Sequence, residues 1–242
     1  MTGPRMTLRC AAATHPGLRR PANEDTVLAA HPVFLVADGM GGHAGGELAS
    51  RAVISAFREL VGKTWVTVQD ITAAVQRAAD RVECLGCGDG APGSTLAGAA
   101  SARRAGIACW LLFNIGDSRI YLMRSGQLRR ISVDHSTRTI SAGPRTRGGL
   151  IRAFGAGLER PVADQWLTPA HAGDRILVCS DGLSDEVAGE YLEKVLRERS
   201  EPQEVVRRLV GKALAEGGRD NISVIVVDCL ETVVPEIDEL DD

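Results

Sequence analysis

Two aspartate–glycine pairs, Asp38-Gly39 and Asp181-Gly182, each follow a short apolar run in this sequence. An aspartate at the end of a buried strand provides a charged oxygen ligand for a cation. The glycine after it has no Cβ, so its carbonyl oxygen can also approach a cation closely. Asp25, Asp117 and Asp220 likewise stand where predicted strands begin or end. These residue types could together bind a hard divalent cation.

Each of these aspartates could instead be an ordinary turn residue, because aspartate is depleted inside sheets. The glycine-rich segment 37–46, ADGMGGHAGG, could equally be a plain turn or a phosphate-binding loop. It lacks the GK[ST] ending of a P-loop and the GxGxxG spacing of a dinucleotide site. If several carboxylates meet at one end of packed sheets, however, their repulsion is costly without cations. Carboxylate-rich and histidine-poor ligation favours magnesium or manganese over zinc.

The elements that position the aspartates follow from the apolar pattern. Apolar runs bounded by turn residues predict strands at 6–14, from 26, and at 33–36, 94–102, 107–115, 118–123, 127–133, 175–179 and 222–227. Helical spacing predicts helices at 47–61, after Asp70 as N-cap, around 190–199, and after the capping-box pattern Ser200-Glu-Pro-Gln203. Residues 134–160 show little periodicity and are interpreted as an irregular surface segment.

Short connections between consecutive strands, such as Ser125-Gly126, imply antiparallel pairing, since a parallel crossover needs a dozen residues or more. The order of elements therefore predicts one α+β domain with helices on both sides of antiparallel sheets. We expect this domain to span residues 1–230. Residues 231–242 form an acidic C-terminal tail that we expect to be disordered.

Composition excludes several classes of function. The net charge of −3 and the isoelectric point near 6.0 argue against a nucleic-acid-binding protein. No apolar run reaches the roughly 18 residues that a membrane span needs, and no apolar signal region follows Met1. The Cys84–Cys87 pair has metal or redox spacing but no second pair to complete a site. We therefore expect a soluble protein of the reducing cytoplasm.

Seven motifs together resemble a known family. They are Arg20-xx-Asn-Glu-Asp25, Asp38-Gly-Met-Gly-Gly-His-Ala-Gly-Gly-Glu47, Gly93-Ser-Thr-Leu96, Gly116-Asp-Ser-Arg119, Asp134-His-Ser136, Cys179-Ser-Asp-Gly-Leu-Ser-Asp185 and Arg219-Asp-Asn-Ile-Ser223. Their order resembles that of bacterial metal-dependent protein phosphatases, the PPM or type 2C family. The resemblance covers about residues 6 to 229. It implies a four-layer α-β-β-α sandwich in which two antiparallel sheets are flanked by helix pairs.

The resemblance also implies a role for each site residue. Asp38 would bridge two Mn²⁺ or Mg²⁺ ions, with the Gly39 carbonyl on one ion and Asp181 and Asp220 on the other. Glu24 and Asp25 would hold metal-bound waters, and Arg20 would bind the substrate phosphate through its planar fork of donors. Asp117 matches the family residue that holds a third, weaker metal together with Asp181. Because the nucleophile would be a water acidified between two cations, Ser94, Ser118 and Ser180 are expected to be structural.

Two departures from the family pattern concern substrate handling. Met40 stands where eukaryotic relatives have a histidine that is a proposed general acid, and His43 is three residues further on. The flap between Asp134-His-Ser136 and Arg152-Ala-Phe-Gly155 is shorter than the usual bacterial one. Its arginines, at 138, 145 and 147, could form a solvated basic loop or a phosphopeptide dock.

The resemblance implies a phosphoserine/phosphothreonine protein phosphatase that opposes a Ser/Thr kinase. The substrates would be phosphorylated proteins, with no nucleic acid and no membrane as partners. One alternative is a partner-switching phosphatase dedicated to a single regulatory phosphoprotein, which a short flap could favour. The other is an inactive module that binds phosphoproteins, against which the complete set of ligands argues.

Overall fold

Two five-stranded antiparallel sheets form the centre of the protein, which we describe from a computed structural model for residues 5–41, 45–86, 90–137, 149–198 and 200–233. The first sheet has the order β1 (Arg5–His15), β13 (Ile222–Val233), β12 (Arg175–Cys179), β8 (Arg119–Arg124) and β9 (Gln127–Arg130). The second has the order β11 (Asp164–Pro169), β7 (Ile107–Ile115), β6 (Leu96–Arg104), β3 (Val33–Ala37) and β2 (Thr26–Ala30). A small third sheet joins β10 (Phe154–Gly155), β5 (Gly93–Ser94) and β4 (Gly39–Met40).

Helices cover the outer face of each large sheet. Helix α1 (Gly45–Phe57), extended by a 3-10 turn at Arg58–Leu60, packs with α2 (Val68–Glu83) on the second sheet. The first sheet is covered by α3 (Asp181–Ser184), α4 (Gly189–Arg197) and α5 (Pro202–Ala215). The predicted four-layer α-β-β-α sandwich is therefore confirmed.

The alternation of side chains along each central strand divides the core into three layers. In β3, Phe34 and Val36 face the other sheet, whereas Val33 and Leu35 face α1 and α2. Successive side chains of a strand point to opposite faces, so a strand covered on both faces must be apolar throughout. That is why the core strands appear in the sequence as continuous apolar runs.

The predicted hairpin at Ser125-Gly126 is present, and both helix-cap predictions need correction. Positive φ angles at Ser125 and Gly126 shape the β8–β9 turn. Helix α2 begins earlier than predicted, with Thr67 as N-cap, and Asp70 is the third helical residue of a capping box. Helix α5 has Pro202 at its first position but no side-chain cap, so the capping box predicted at Ser200 is wrong. Proline fits there because the first helical N–H has no partner in the helix.

Two strands lie where none was predicted, one of them inside the segment 134–160 that was interpreted as irregular. Residues 154–155 form β10, and the edge strand β11 at 164–169 had no strand prediction. Strand β11 escapes a periodicity argument because its residues are half-buried rather than alternately buried and exposed. Flap residues 138–148, including the three arginines, lie outside the described residues, as does His43.

Strand β13 extends three residues past the domain boundary predicted at residue 230. Glu231 and Thr232 pair with Thr7 and Met6 of β1, so they belong to the first sheet rather than to a tail. Residues 234–242 lie outside the part of the chain that the structure describes. Within the described part, no helix combines the length and apolarity that crossing a bilayer requires.

Candidate metal centre

The five aspartates of the predicted site, four of them predicted ligands and Asp25 a predicted holder of metal-bound water, all lie at one end of the sandwich. Strand β3 ends there immediately before Asp38, and strands β7 and β12 end there two residues before Asp117 and Asp181. Strands β2 and β13 begin there, immediately after Asp25 and Asp220-Asn221. Antiparallel pairing brings these ends together, because Thr26 pairs with Ala37 and Cys179 pairs with both Arg119 and Val224. The tertiary fold thus unites aspartates that are up to 195 residues apart, from 25 to 220, in the sequence.

The aspartates are close enough to disfavour one another's ionisation. Burial, followed by repulsion from Asp117 and other neighbouring carboxylates, raises the pKa of Asp181 to about 8. Burial and then repulsion from Asp25, Asp181 and Asp117 raise the pKa of Asp38 as well. A group whose charged form is disfavoured by both desolvation and like charges is stabilised by a nearby cation. The site therefore has the electrostatics of a cation-binding centre.

Asp25 is a buried carboxylate whose oxygens are not satisfied by the surrounding protein groups. Its side chain is buried, with the residue only 6% exposed, and neither carboxylate oxygen has a hydrogen-bond partner of standard geometry. Burial raises its pKa to about 6, although the neighbouring hydroxyls of Ser223 and Ser180 offset part of the rise. A buried polar atom without a partner costs about 1–3 kcal/mol, and more when it is charged. Two such oxygens fit a position beside metal-bound water.

Two glycines let the loops of the site pack against each other. A Cβ on Gly39 would lie 2.2 Å from the Gly46 carbonyl oxygen and 2.5 Å from that of Glu24. A Cβ on Gly182 would lie 2.0 Å from the Asn221 carbonyl oxygen. Both distances are far below van der Waals contact, so a side chain at either position would force the backbones apart. The glycines predicted from their lack of a Cβ are thus required by backbone packing.

The remaining predicted residues lie around this cluster. Arg20 Nη2 donates to Asp220 Oδ2 at 2.7 Å, and this bond, ahead of the other nearby acids, raises the pKa of Arg20. The side chain of Glu24 lies against Gly46, where a Cβ would be 2.8 Å from its Cδ. Among the described residues, no three acidic, histidine or cysteine side chains already form a coordination shell. The carboxylates surround a common region without converging on one point.

Comparisons with known proteins identify the family. A model of the family described as "Protein phosphatase 2C" matches residues 22–216. The serine/threonine protein phosphatase PstP of Mycobacterium tuberculosis is 35% identical over 247 residues, a match that spans 93% of this chain and 46% of PstP. The serine/threonine phosphatase stp of Listeria monocytogenes is 32% identical over 81% of this chain and 84% of its own length.

This chain belongs to the protein phosphatase 2C family. A solved structure of the PstP catalytic domain in complex with two manganese ions agrees with the fold at a TM-score of 0.79 and 36% identity. That alignment covers 93% of this chain and all of the solved domain. The chain spans less than half of full-length PstP, so it corresponds to the catalytic part of that relative.

Several residues of this phosphatase 2C site were not predicted from the sequence, although their hydrogen bonds position the segments that carry the aspartates. Thr95 accepts a hydrogen bond from the backbone N–H of Asp38 at 3.0 Å and shares another with the Ser118 hydroxyl at 2.8 Å. The Asn221 side chain accepts from the Glu24 N–H and donates to the carbonyls of Pro16 and Ala22, which ties the loop before β2 to the start of β13. Thr95 and Asn221 belong to two of the seven motifs, but their role depends on segments that are distant in the sequence, so the motifs alone do not indicate it.

Glu186 likewise positions the segment that carries Asp220, through hydrogen bonds to Arg219. Its carboxylate is almost fully buried and accepts from the backbone N–H, Nε and Nη2 of Arg219 at 3.1, 2.9 and 2.6 Å. Charge-assisted bonds of this forked kind are among the stronger ones in proteins. Because Glu186 follows α3, which begins at Asp181, the pair fixes the Asp181 and Asp220 segments relative to each other.

Proposed function

We propose that this chain is a metal-dependent phosphatase that hydrolyses phosphoserine and phosphothreonine in proteins. The observation that carries the proposal is the group of five aspartates at one end of the sandwich, with the partnerless oxygens of Asp25 buried among them. The printed names of PstP and stp, both serine/threonine phosphatases, support phosphoproteins as the substrate class. A Ser/Thr kinase that produces those phosphoproteins is the expected counterpart.

Manganese or magnesium is the cofactor that we propose, in agreement with the two manganese ions of the PstP structure. Asp38 would contact both ions, the Gly39 carbonyl one of them, and Asp181 and Asp220 the other. When bound, two such ions acidify a water and neutralise charge on the phosphoryl oxygens during in-line displacement. Asp117 and Asp181 would hold a third, weaker ion. Among these residues, the raised pKa values of Asp38 and Asp181 are those expected of groups that cations stabilise.

The other residues act on water and phosphate directly. Glu24 and Asp25 would accept hydrogen bonds from water at the centre, and Asp25 has two free acceptor oxygens for that purpose. Arg20 is exposed at the rim and uses one donor, Nη2, on Asp220. A guanidinium has five N–H donors in a planar fork, so Arg20 can bind a phosphate while it keeps this bond.

The hydroxyls of the buried serines Ser94 and Ser180 are both held in hydrogen bonds. Ser180 Oγ donates to the Asn221 carbonyl at 3.3 Å and accepts from the Ser223 N–H at 3.0 Å. Ser94 Oγ donates to the Thr95 carbonyl at 2.9 Å. Water, rather than a side chain, is therefore the nucleophile in this proposal.

We also propose that the protein acts in a reducing compartment such as the cytoplasm. Cys10, Cys84, Cys109, Cys179 and Cys229 all carry free thiols. Burial raises the pKa of Cys179 to about 12, which keeps that thiol protonated and unreactive.

The test is manganese-dependent hydrolysis of para-nitrophenyl phosphate and of phosphothreonine peptides. Asp38→Ala and Asp181→Ala should each abolish turnover, whereas Asp80→Ala, which removes an exposed aspartate of α2, should not. Wild-type protein without metal-dependent turnover on either substrate would refute the enzyme and leave the inactive binding module. Turnover of para-nitrophenyl phosphate with a single accepted phosphoprotein would favour the dedicated partner-switching phosphatase.

A further inference from the structure

His135 lies directly beside the loop that carries Asp117, although it is 18 residues away in the sequence. The residue is buried, with 6% of its surface exposed. Its backbone N–H donates to the Gly116 carbonyl at 3.0 Å, and its ring Nδ1 accepts from the Gly116 N–H at 3.1 Å. One residue thus binds both backbone polar groups of the glycine before Asp117.

The Gly116 contact determines which ring nitrogen carries the proton. Because Nδ1 accepts a hydrogen bond, it is unprotonated, and the proton of the neutral ring is on Nε2. Nε2 lies 3.0 Å from Asp164 Oδ2 and donates to it. Arg152 Nη1 also lies 3.2 Å from Nε2, but both atoms are donors in this tautomer, so that contact is not a hydrogen bond. The other oxygen of Asp164 accepts from Arg152 Nη1 at 2.6 Å. Burial acts to raise the pKa of Asp164, but its bonds to His135 and Arg152 outweigh burial and lower it.

Other contacts also restrict the backbone conformation of the Gly116 loop. Gly116 has a φ of +98°, and a Cβ there would be 2.6 Å from Thr95 Cγ2. Asn114 Nδ2 also donates to the Gly116 carbonyl at 3.1 Å. The His135 ring is the contact from outside the β7–β8 connection that fixes the direction of the Gly116 N–H. A loss of that contact frees the peptide plane between Ile115 and Gly116, one residue before the peptide that carries the N–H of Asp117.

We infer that His135 is a positioning residue that orients Asp117 and thereby sets the affinity of the weaker cation position. The inference rests on the proposed function, in which Asp117 and Asp181 hold that ion. It assigns the effect to the acceptor Nδ1 rather than to the ring's bulk or to the Asp164 contact. Residues that orient metal ligands typically change metal affinity by about 10–100-fold when replaced.

Two isosteric substitutions separate the two ring nitrogens. In His135→Asn the side-chain oxygen can take the place of Nδ1 and accept from Gly116. In His135→Gln the terminal amide extends toward Asp164 as Nε2 does, but no acceptor faces Gly116. His171→Gln makes the same exchange at an exposed turn before β12, at the opposite end of the sandwich, and is the matched control. Asp117→Asn serves as the reference for a lost weak site.

The measurement is calorimetric titration of the metal-free full chain with Mn²⁺. We expect His135→Gln to weaken the weakest resolved site by about 10-fold and to leave the tighter sites within twofold. His135→Asn should keep the wild-type affinities, as should His171→Gln. Asp117→Asn should remove the weak site.

Some outcomes would contradict the positioning role of His135, and one would contradict the proposed function. Equal losses in His135→Asn and His135→Gln, no loss in His135→Gln, or a parallel loss at the tight sites would overturn the positioning role. A wild-type protein with two sites and no third would also overturn it, while the proposed function stands. A wild-type protein that binds no Mn²⁺ would refute the proposed function itself.

Discussion

Replacement of Asp25 by asparagine should stabilise the metal-free protein at neutral pH. The carboxylate is buried without a hydrogen-bond partner of standard geometry, and burial raises its pKa from 3.8 to about 6 despite the nearby hydroxyls of Ser223 and Ser180. The folded protein therefore binds a proton more tightly than the unfolded chain does. Each pKa unit corresponds to about 1.4 kcal/mol, so a rise of roughly two units means that ionised Asp25 lowers the free energy of unfolding by up to about 3 kcal/mol.

The sign of the pH dependence follows from the direction of this shift. Below the unfolded value of 3.8, the carboxyl group is protonated in both states and costs nothing. Between 3.8 and about 6 the unfolded chain loses its proton first, so stability falls as pH rises. Above about 6 the full penalty is present. The stabilisation of Asp25→Asn should thus be absent near pH 3.5 and complete above pH 7.

The assay is urea unfolding of metal-free protein across this pH range, repeated with Mn²⁺ at neutral pH. Asp228→Asn is the matched contrast, because Asp228 is also buried but accepts from Arg175 Nε and Nη2 at 2.6 and 2.8 Å. Breaking that buried pair should destabilise the protein by about 3–5 kcal/mol. Added Mn²⁺ should stabilise wild type more than Asp25→Asn. If Asp25→Asn is destabilising at pH 7.5 without metal, or if its effect does not vary with pH, the account of Asp25 is refuted.

Further substitutions test the phosphate-binding role of Arg20 and the backbone packing at Gly39. Arg20→Ala should raise the KM for a phosphothreonine peptide by about 10-fold or more, since a charge-assisted hydrogen bond contributes about 1.5–3 kcal/mol, without weakening Mn²⁺ binding in calorimetry. Weaker Mn²⁺ binding would instead mean that the bond to Asp220 holds that ligand in place. Gly39→Ala should destabilise the fold and reduce Mn²⁺ affinity, because its Cβ would lie 2.2 Å from the Gly46 carbonyl oxygen. Gly211→Ala, in α5 with no atom within 4 Å of its Cβ, should raise the free energy of unfolding by about 0.5–1 kcal/mol; equal effects of the two exchanges on thermal unfolding would contradict the packing argument.

The acids of the site differ from the other buried acids in what surrounds them. Buried acids elsewhere are paired, as Asp174 is with Arg124 and with the indole N–H of Trp110. At the site, by contrast, Asp25 is buried and Asp38 half-buried among other acids. Unpaired carboxylates that repel each other are the arrangement expected of the proposed cation site, because buried like charges are costly without a counter-charge.

The sequence by itself determined the layers of the fold and the candidate ligands. Apolar runs such as 33–36 and 107–115 can be recognised locally, because burial on both faces requires apolar residues at every position. Aspartate and glycine at the ends of such runs are equally local signals. The order of seven motifs then specified the family, since no single motif could do so.

Only the tertiary structure decided how those residues interact. The partnerless oxygens of Asp25 and the contact of His135 with the Gly116 loop each depend on segments far apart in the chain. The N-cap of α2 was predicted wrongly and the edge strand β11 was not predicted, because hydrogen-bond partners and half-burial produce no periodic pattern in the sequence. The local sequence pattern encodes which side chains are buried. The pKa value and the orientation of a buried side chain depend on its neighbours, and only folding brings those neighbours together.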